Sequence, residues 1–372
     1  MSVLLQKPIF VGISQKELAE QLEARKKCQE KLPTWFNHNS IYYPNKLNIE
    51  QTSSEQTANY KAQQVDGKSL IDLTGGFGVD SYFFSSKMEQ VLHCEINPKL
   101  SEIAQHNFDI LGRKNIECFT GDGIEFLKNS NQQFDWVFVD PSRRNDKKGK
   151  VFLLEDCLPN LPENLSLIFE KSDRILVKAS PIFDIAQGIN ELQFTQEVHV
   201  VAVNNEVKEV LFVLKKGFEG GIQIKTVNLI PDQEDQFNFL LGEESNCETN
   251  FGLPEDFLYE PNAAILKSGG FKSVAAFYKV NKLHPHSHLY TSTEKIDFPG
   301  RTFKIEQVLP YSKNSIKSLG LTKANITTRN FPMTVADIRK KFKIKDGGEH
   351  YLFFTKNIDD SLLIISSKKV LD

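Results

Sequence analysis

Cysteine is scarce and scattered: Cys28, Cys94, Cys118, Cys157 and Cys247 are the only five, with no C-x-x-C pair. They make poor material for a disulfide framework or a structural zinc site and fit a reducing compartment. Long apolar runs are also missing. No stretch approaches the roughly 18 uncharged apolar residues that a membrane helix requires. The opening MSVLLQKPIFVGISQKELAEQ has no basic leader ahead of an apolar core. A soluble, cytoplasmic chain with no membrane partner is the expectation. His284, His286 and His288 alternate in a loop with no carboxylate at helical spacing, so no metal is expected. Net charge is small too, at −3, but it is unevenly spread: residues 301–372 hold 14 Lys/Arg against 7 Asp/Glu. A basic terminal module on an acidic body suits a polyanionic partner met at one end. The plain alternative is a solvated basic surface.

What is present begins with length. A chain of 372 residues is too long for one small core and implies two or three domains. Ser14–Glu17 reads as a capping box opening a helix to about Leu32, stopped by Pro33. A second capping box, Thr52–Glu55, opens a short helix to about Gln63. Strands and helices then alternate. SLIDLT (69–74), VLHCEI (91–96), IECFTG (116–121), FDWVFVD (134–140) and RILVKAS (174–180) are short and apolar or alternating. Helix candidates 78–88, 98–112, 122–130 and 151–172 lie between them. This pattern predicts a parallel sheet covered on both faces. EVHVVAVN (197–204) and KEVLFVLK (208–215) read as a hairpin, which makes the last strand antiparallel. A strand at 221–229 leads into a loop-rich bridge, and a helical stretch runs from Pro261 to about Lys279. Beyond Leu289, strands at 302–309, 324–330, 350–356 and 361–368 mix with helices at 313–319 and 334–343.

The chemistry concentrates in Asp72-Leu73-Thr74-Gly75-Gly76-Phe77-Gly78-Val79-Asp80, where the first strand turns into a helix. Glycines there let the backbone turn sharply and a ligand approach closely. Glu95 ends the next strand, roughly 20 residues on, where a carboxylate accepts from ribose hydroxyls. Asp122 follows the third strand in Thr120-Gly121-Asp122-Gly123, placed to accept from an adenine amino group. Asp140-Pro141 ends the fourth. Asp72, Glu95, Asp122 and Asp140 thus converge on the crevice where open α/β sheets bind ligands.

The series D-x-T-x-G-x-G, strand-end Glu, G-D-G and D-P-x resembles the class I S-adenosylmethionine-dependent methyltransferases over residues 51–217. The resemblance implies a doubly wound, mostly parallel α/β sheet with an antiparallel last strand. It implies S-adenosylmethionine as cofactor, held by Asp72, Thr74, Gly75, Gly76, Gly78, Asp80, Glu95, Asp122, Gly123 and Asp140. Many members have Gly where this chain has Thr74. The helix opened at Thr52–Glu55 resembles the extra helix of RNA methyltransferases. A dinucleotide-dependent dehydrogenase is the rival, but Ser81 stands where its third glycine belongs, and it lacks the antiparallel hairpin.

On the acceptor side, Asp140-Pro141-Ser142-Arg143-Arg144 has Arg143 where amine-methylating enzymes carry an aromatic residue. Neither this motif nor Lys178-Ala179-Ser180-Pro181 contains a cysteine nucleophile. Asp140 and Lys178 are the catalytic candidates. Lys61, Asp140, Lys178 and Glu209 fall in the elements of the Lys-Asp-Lys-Glu tetrad of ribose 2′-O-methyltransferases, where a lysine among carboxylates and apolar groups can be tuned as a base. Solvated lysines flanking strands are the alternative. Arg143 and Arg144 suit a phosphate clamp.

Residues 291–372 resemble the THUMP-like RNA-binding modules of some bacterial methyltransferases, through Thr328-Arg329-Asn330-Phe331-Pro332-Met333-Thr334 and Arg339-Lys340-Lys341-Phe342-Lys343-Ile344-Lys345. Ile338, Phe342 and Ile344 there read as core. With Tyr259-Glu260-Pro261-Asn262-Ala263-Ala264, the chain resembles a Bacteroidetes methyltransferase group whose intermediate segment is ferredoxin-like. The expected organisation is an N-terminal helical segment (1–50), the methyltransferase domain (51–217), a ferredoxin-like bridge (218–290) and a smaller C-terminal α+β module (291–372) that meets RNA. The expected activity is RNA methylation, at a base or a ribose 2′-oxygen. A protein or small-molecule methyltransferase, and a non-catalytic RNA-binding protein that keeps the cofactor fold, remain alternatives.

Overall fold

The computed structural model describes residues 12–143, 153–231 and 233–370. Two compact units divide the chain: Met1–Val198 with Lys208–Gly220, and His199–Val207 with Gly221–Asp372.

In the first unit, four helices precede the sheet: α1 (Gln15–Lys31), α2 (Pro33–Phe36), α3 (Lys46–Gln51) and α4 (Glu55–Ala62). Ser14 caps α1 by accepting from the Glu17 N–H at 3.1 Å. The reciprocal half of that predicted box does not form, because the Glu17 carboxylate accepts from the Tyr42 hydroxyl instead. The second predicted box also shifts. Ser54 is the N-cap of α4, and Glu55 reaches back to accept from the N–H and hydroxyl of Thr34 at the start of α2. Cys28, Leu32, Trp35, Tyr43 and Ile49 from these helices and their connections share one buried cluster with Phe77 of the glycine turn and Val79 at the start of α5. The N-terminal helices therefore support the turn from behind.

The sheet follows as β1 (Ser69–Asp72), α5 (Val79–Phe84), β2 (Gln90–Glu95), α6 (Pro98–Ile110), β3 (Ile116–Thr120), α7 (Gly123–Asn129) and β4 (Trp136–Val139). A two-residue ribbon, β5 (Ser142–Arg143) and β6 (Cys157–Leu158), precedes α8 (Leu161–Lys171), β7 (Arg174–Ala179), α9 (Ile185–Glu191), β8 (Thr195–Val203) and β9 (Glu206–Lys215). Strand order is β8-β9-β7-β4-β1-β2-β3. β1 pairs in parallel with β2 and β4, β4 with β7 and β2 with β3. β9 runs antiparallel to β7. All four residues of β4 are buried, as a strand covered on both faces requires. The doubly wound sheet with an antiparallel last strand is thus realised. α8 begins ten residues later than the predicted helix 151–172, because Asn160 caps it by accepting from the Glu163 N–H, with Pro162 in its first turn.

The second unit contains a hairpin, β10 (Gln223–Ile230) and β11 (Gln233–Leu240), then α10 (Leu241–Glu244), β12 (Phe257–Pro261), α11 (Ala263–Ser268), α12 (Phe271–Tyr278), β13 (Asn281–Lys282) and β14 (Tyr290–Ser292). It ends with β15 (Gly300–Pro310), α13 (Lys313–Ser318), β16 (Asn325–Thr328), α14 (Val335–Phe342), β17 (His350–Lys356) and β18 (Leu362–Lys369). One mixed sheet, ordered β13-β14-β12-β15-β18-β17-β16, carries the C-terminal α+β part. Its only parallel pair among the described residues is β16 with β17. The helix predicted over 261–279 is two helices. Gly269, at φ +81°, ends α11, and the Glu244 carboxylate caps α12 by accepting from the N–H groups of Lys272 and Ser273. Strand β11 stands where the sequence predicts a loop-rich bridge, paired antiparallel with β10.

Candidate functional site

Chain order reverses across β1, whose neighbours are β2 on one side and β4 on the other. Such a switch point opens a crevice at the C-terminal strand ends, where the candidate residues lie. A hollow of about 360 Å³ lined by Ser69, Gln90 and Asn115 sits at the opposite strand ends, away from them.

Three successive residues of β2 hold the glycine turn. The Gly75 N–H donates to the Cys94 carbonyl at 2.8 Å, and the Gly76 N–H to Glu95 Oε2 at 2.9 Å. His93 lies beneath, so close that a Cβ on Gly75 would stand 2.1 Å from its Cε1. No other residue fits at 75. Gly78 sits at φ +85°, and its Cβ would strike Phe108 at 2.4 Å, so the start of α5 also requires glycine. Gly76 differs: above it the space is open, with nothing closer than the Thr74 carbonyl at 3.8 Å. Glu95 is half-buried, and its second oxygen accepts from the Asn97 N–H at 2.7 Å. Two backbone donors thus fix this carboxylate beside an uncovered backbone surface.

Asp72 is buried at the end of β1. It accepts from the Thr74 N–H at 3.0 Å and from the Ser81 hydroxyl at 2.7 Å. Burial pushes its pKa up to about 7, against those two hydrogen bonds. Thr74 in turn accepts through its hydroxyl from the Asp140 N–H at 2.7 Å. The structure therefore links Asp72, Thr74 and Asp140 in one chain of hydrogen bonds. Asp122 is exposed and caps α7, accepting from the Ile124 N–H at 2.8 Å. Gly123 is packed so closely that a Cβ would stand 2.9 Å from the Leu73 Cα.

Asp80 faces the other way. Its carboxylate accepts from the Ser53 hydroxyl at 2.8 Å and lies 3.2 Å from the Lys61 ammonium. Lys61 is completely buried, and it donates to both oxygens of buried Glu209, at 2.7 and 2.8 Å. Lys178 pairs instead with Asp140, the more open of the two at 34 % side-chain exposure. The four tetrad positions thus form a sealed Lys61–Glu209 pair and a more open Lys178–Asp140 pair, coupled through the interaction of Lys178 with Glu209. Burial works against the Lys178 charge, but the carboxylates of Asp140, Asp80 and Glu209 outweigh it and hold the pKa above the ordinary lysine value. That is the opposite of the tuning a general base needs. Burial raises the Glu209 pKa, with Lys61 and Lys178 pulling it back.

Ser53, Ser81 and His93 belong to this network, and none of them is a site candidate in the sequence reading. A polar residue in the middle of apolar β2 was the available signal for His93. The side chains of Arg143 and Arg144 lie outside the described residues.

In the C-terminal part, Ile338 and Ile344 are buried and Phe342 packs on the same cluster. Arg339 is engaged by the Ala324 and Ile344 carbonyls and by Asp346, whereas Lys340, Lys343 and Lys345 are exposed. Arg329, in the Thr328–Thr334 stretch, pairs with buried Glu260 at 2.8 Å, and Arg301 takes the other Glu260 oxygen. His284 is buried against Asn330, and His288 stacks on Phe271. Among the described residues no cluster of three His, Cys, Asp or Glu could hold a metal, and no helix is long and apolar enough to cross a membrane.

This fold and crevice define the class I methyltransferase type of α/β protein. A ferredoxin-like domain family matches residues 257–299, and a THUMP domain-like family matches 300–368. The crystal structure of a candidate methyltransferase from Porphyromonas gingivalis W83 superposes with a TM-score of 0.91, at 33% identity, covering 99% of this chain and 94% of that one. The chain belongs to the family of that protein. A Mycoplasma mobile protein named as an uncharacterized RNA methyltransferase is 30% identical over 149 residues, which is 39% of this chain and 40% of that protein. A Thermotoga maritima protein of the same description is 32% identical over 85 residues, 23% of this chain and 19% of that protein. The chain therefore spans less than half the length of these two relatives.

Proposed function

We propose that the protein is an S-adenosylmethionine-dependent methyltransferase that acts on RNA. The observation that carries the reading is Glu95, a strand-end carboxylate held by two backbone donors beside the open surface over Gly76. Such an acceptor suits the paired hydroxyls of a ribose. Gly75, Gly76 and Gly78 clear room for the amino-acid end, with Asp72 as its anionic partner, and Asp122 with Gly123 borders the adenine. Thr74 and Asp140 close the crevice toward the acceptor, and Asp80 holds α4 against the turn. When bound, the cofactor supplies an electrophilic methyl group on a sulfonium. The protein's contribution is then to bring an acceptor into line, which can supply much of the acceleration, on the order of 7–11 kcal/mol. Asp140 contacts the acceptor in this reading. Lys178 keeps its proton and fixes the Asp140 carboxylate, acting as a positioning residue. The exposed lysines of the THUMP-like domain, together with the two relatives named as RNA methyltransferases, support RNA as the substrate class.

The test is calorimetry with S-adenosylmethionine, S-adenosylhomocysteine and a nicotinamide dinucleotide, followed by transfer of labelled methyl to RNA from cells lacking the protein. Binding of the first two and labelling of RNA are expected. Binding of the dinucleotide alone would sink the cofactor assignment. Labelling of protein or small molecules, with RNA unlabelled, would remove RNA as substrate. Asp140→Ala should lower the transfer rate far more than cofactor affinity.

A further inference from the structure

Ser81 and His93 have no part in the reading above, yet they form a continuous link to it. The His93 ring is fully buried between Gly75 and Phe108, whose ring it meets edge-on at 5.4 Å. Its Nδ1 is 3.0 Å from the Ser81 Oγ, and that hydroxyl is 2.7 Å from Asp72 Oδ2. His93 Nε2 has no hydrogen-bond partner among the described residues.

A serine hydroxyl has one proton and can donate it once. With Asp72 ionised, Ser81 must donate to the carboxylate, so His93 must donate its Nδ1–H to the Ser81 oxygen. The other tautomer would bury an unpaired Nε2–H and draw the Ser81 proton away from Asp72. Burial keeps the imidazole neutral, pushing its pKa down to about 4.

We propose that Ser81 and His93 are positioning residues for the cofactor's amino-acid end: His93, fixed as the Nδ1–H tautomer, aims the Ser81 proton at Asp72 and keeps that carboxylate an anion beneath the glycine turn. This rests on Asp72 facing the cofactor's ammonium group. The charged and titratable neighbours of Asp72 are Asp80 on α5, Asp140 after β4 and Cys94 on β2. Lys61 stands behind Asp80, and Lys178 behind Asp140. The acids make ionising Asp72 harder, so losing the Ser81 donor should matter most near neutral pH.

The experiment is calorimetry of S-adenosylmethionine and S-adenosylhomocysteine binding to the full chain, as wild type, Ser81→Ala and Ser81→Thr, from pH 6 to 9. Each variant is compared with wild type at the same pH, so the ligand's own titration cancels in the ratio. Ser81→Ala should bind about 10- to 100-fold more weakly at pH 7, the worth of a hydrogen bond to a charged group. The deficit should shrink toward pH 9, where Asp72 ionises without help, and Ser81→Thr should restore binding. A deficit equal at every pH would reduce Ser81 to packing and overturn the proposal, as would no deficit. Nitrogen-15 NMR of His93 in the wild type at pH 9, where Asp72 is ionised, supplies an independent reading. The Nδ1–H tautomer is expected, and the Nε2–H tautomer overturns the relay even if Ser81→Ala does not fold. If the wild type binds neither ligand while His93 shows the Nδ1–H form, the cofactor reading has failed and the hydrogen-bond relay stands.

Discussion

Lys61→Met tests the buried half of the site most directly. The substitution keeps an unbranched side chain of similar length and removes only the ammonium. In the wild type that ammonium meets Glu209 twice, at 2.7 and 2.8 Å, Ser53 at 3.2 Å and Asp80 at 3.2 Å, with none of its surface exposed. Its removal leaves two carboxylates facing each other without their shared cation. Breaking a buried pair in this way costs about 3–5 kcal/mol, a large share of the roughly 5–15 kcal/mol that holds a domain folded. The loss depends on pH with a definite sign. Burial already raises the Glu209 pKa, and losing Lys61 raises it further, so in acid Glu209 takes up a proton and the penalty falls. The deficit should approach 3–5 kcal/mol at pH 8 and shrink toward pH 5.

Urea denaturation followed by tryptophan fluorescence is the assay, because Trp35 and Trp136, the only tryptophans, both belong to the first unit. Lys61→Met with Glu209→Leu should recover part of the loss, since an apolar pair replaces an ionic one at little cost. A single-variant deficit below about 1 kcal/mol at pH 8, the scale of an exposed pair, would refute the burial argument. Full stability combined with abolished methyl transfer would return Lys61 to the chemistry.

Glu95→Ala should weaken S-adenosylmethionine binding by about 1.5–3 kcal/mol, the worth of hydrogen bonds to a charged acceptor; calorimetry giving an unchanged affinity would contradict its ribose role. Asp72 has a folded pKa of about 7 against an unfolded value near 3.9. The cofactor-free protein therefore holds Asp72 protonated below about pH 7 and ionised above it, and the stability Asp72 contributes is present below pH 4 and lost as pH rises through 7. Relative to Asp72→Asn, wild-type stability should fall across that window in urea titrations, and a flat difference would contradict it. Replacing Lys340, Lys343 and Lys345 by Gln should weaken RNA binding and flatten its salt dependence, as fewer counterions are released. Arg339→Gln should instead lower stability, because that side chain bonds two carbonyls and Asp346; filter binding and denaturation separate the two effects.

The sheet was legible because β1 to β4 are short apolar or alternating runs with Asp, Glu or Gly at their ends, and because a helix start follows each of the first three. The acids at the ends of β1, β2 and β4 were legible for the same reason. Other features carry no local signal. Strand β11 buries only Phe237 and Phe239, set among Glu, Asp, Gln and Asn, so no run announces it. The β5–β6 ribbon is two residues long on each side. Lys61 and Glu209 are 148 residues apart in the chain, and only the packing of α4 near β9 makes them a pair. Arg329 lies in the stretch that carries the THUMP-like resemblance, and its partner is Glu260, 69 residues earlier. The start of α8 was available in Asn160-Leu161-Pro162, a cap followed by a first-turn proline.

Thr74 shows how a departure from a family pattern acquires a physical reason. Glycine at this position leaves the backbone free but offers nothing to its surroundings. Threonine gives up that freedom and adds a hydroxyl, and that hydroxyl accepts from the Asp140 N–H while the Thr74 N–H donates to Asp72. The residue that begins the glycine turn is thereby bonded to the last residue of β1 and to the residue just past β4. Asp140 is held on its other side by Lys178. In the proposed reading, any shift of the turn on cofactor binding is passed through one side chain to the carboxylate that meets the acceptor. The two halves of the site are joined by hydrogen bonds at Thr74 as well as by the sheet beneath them.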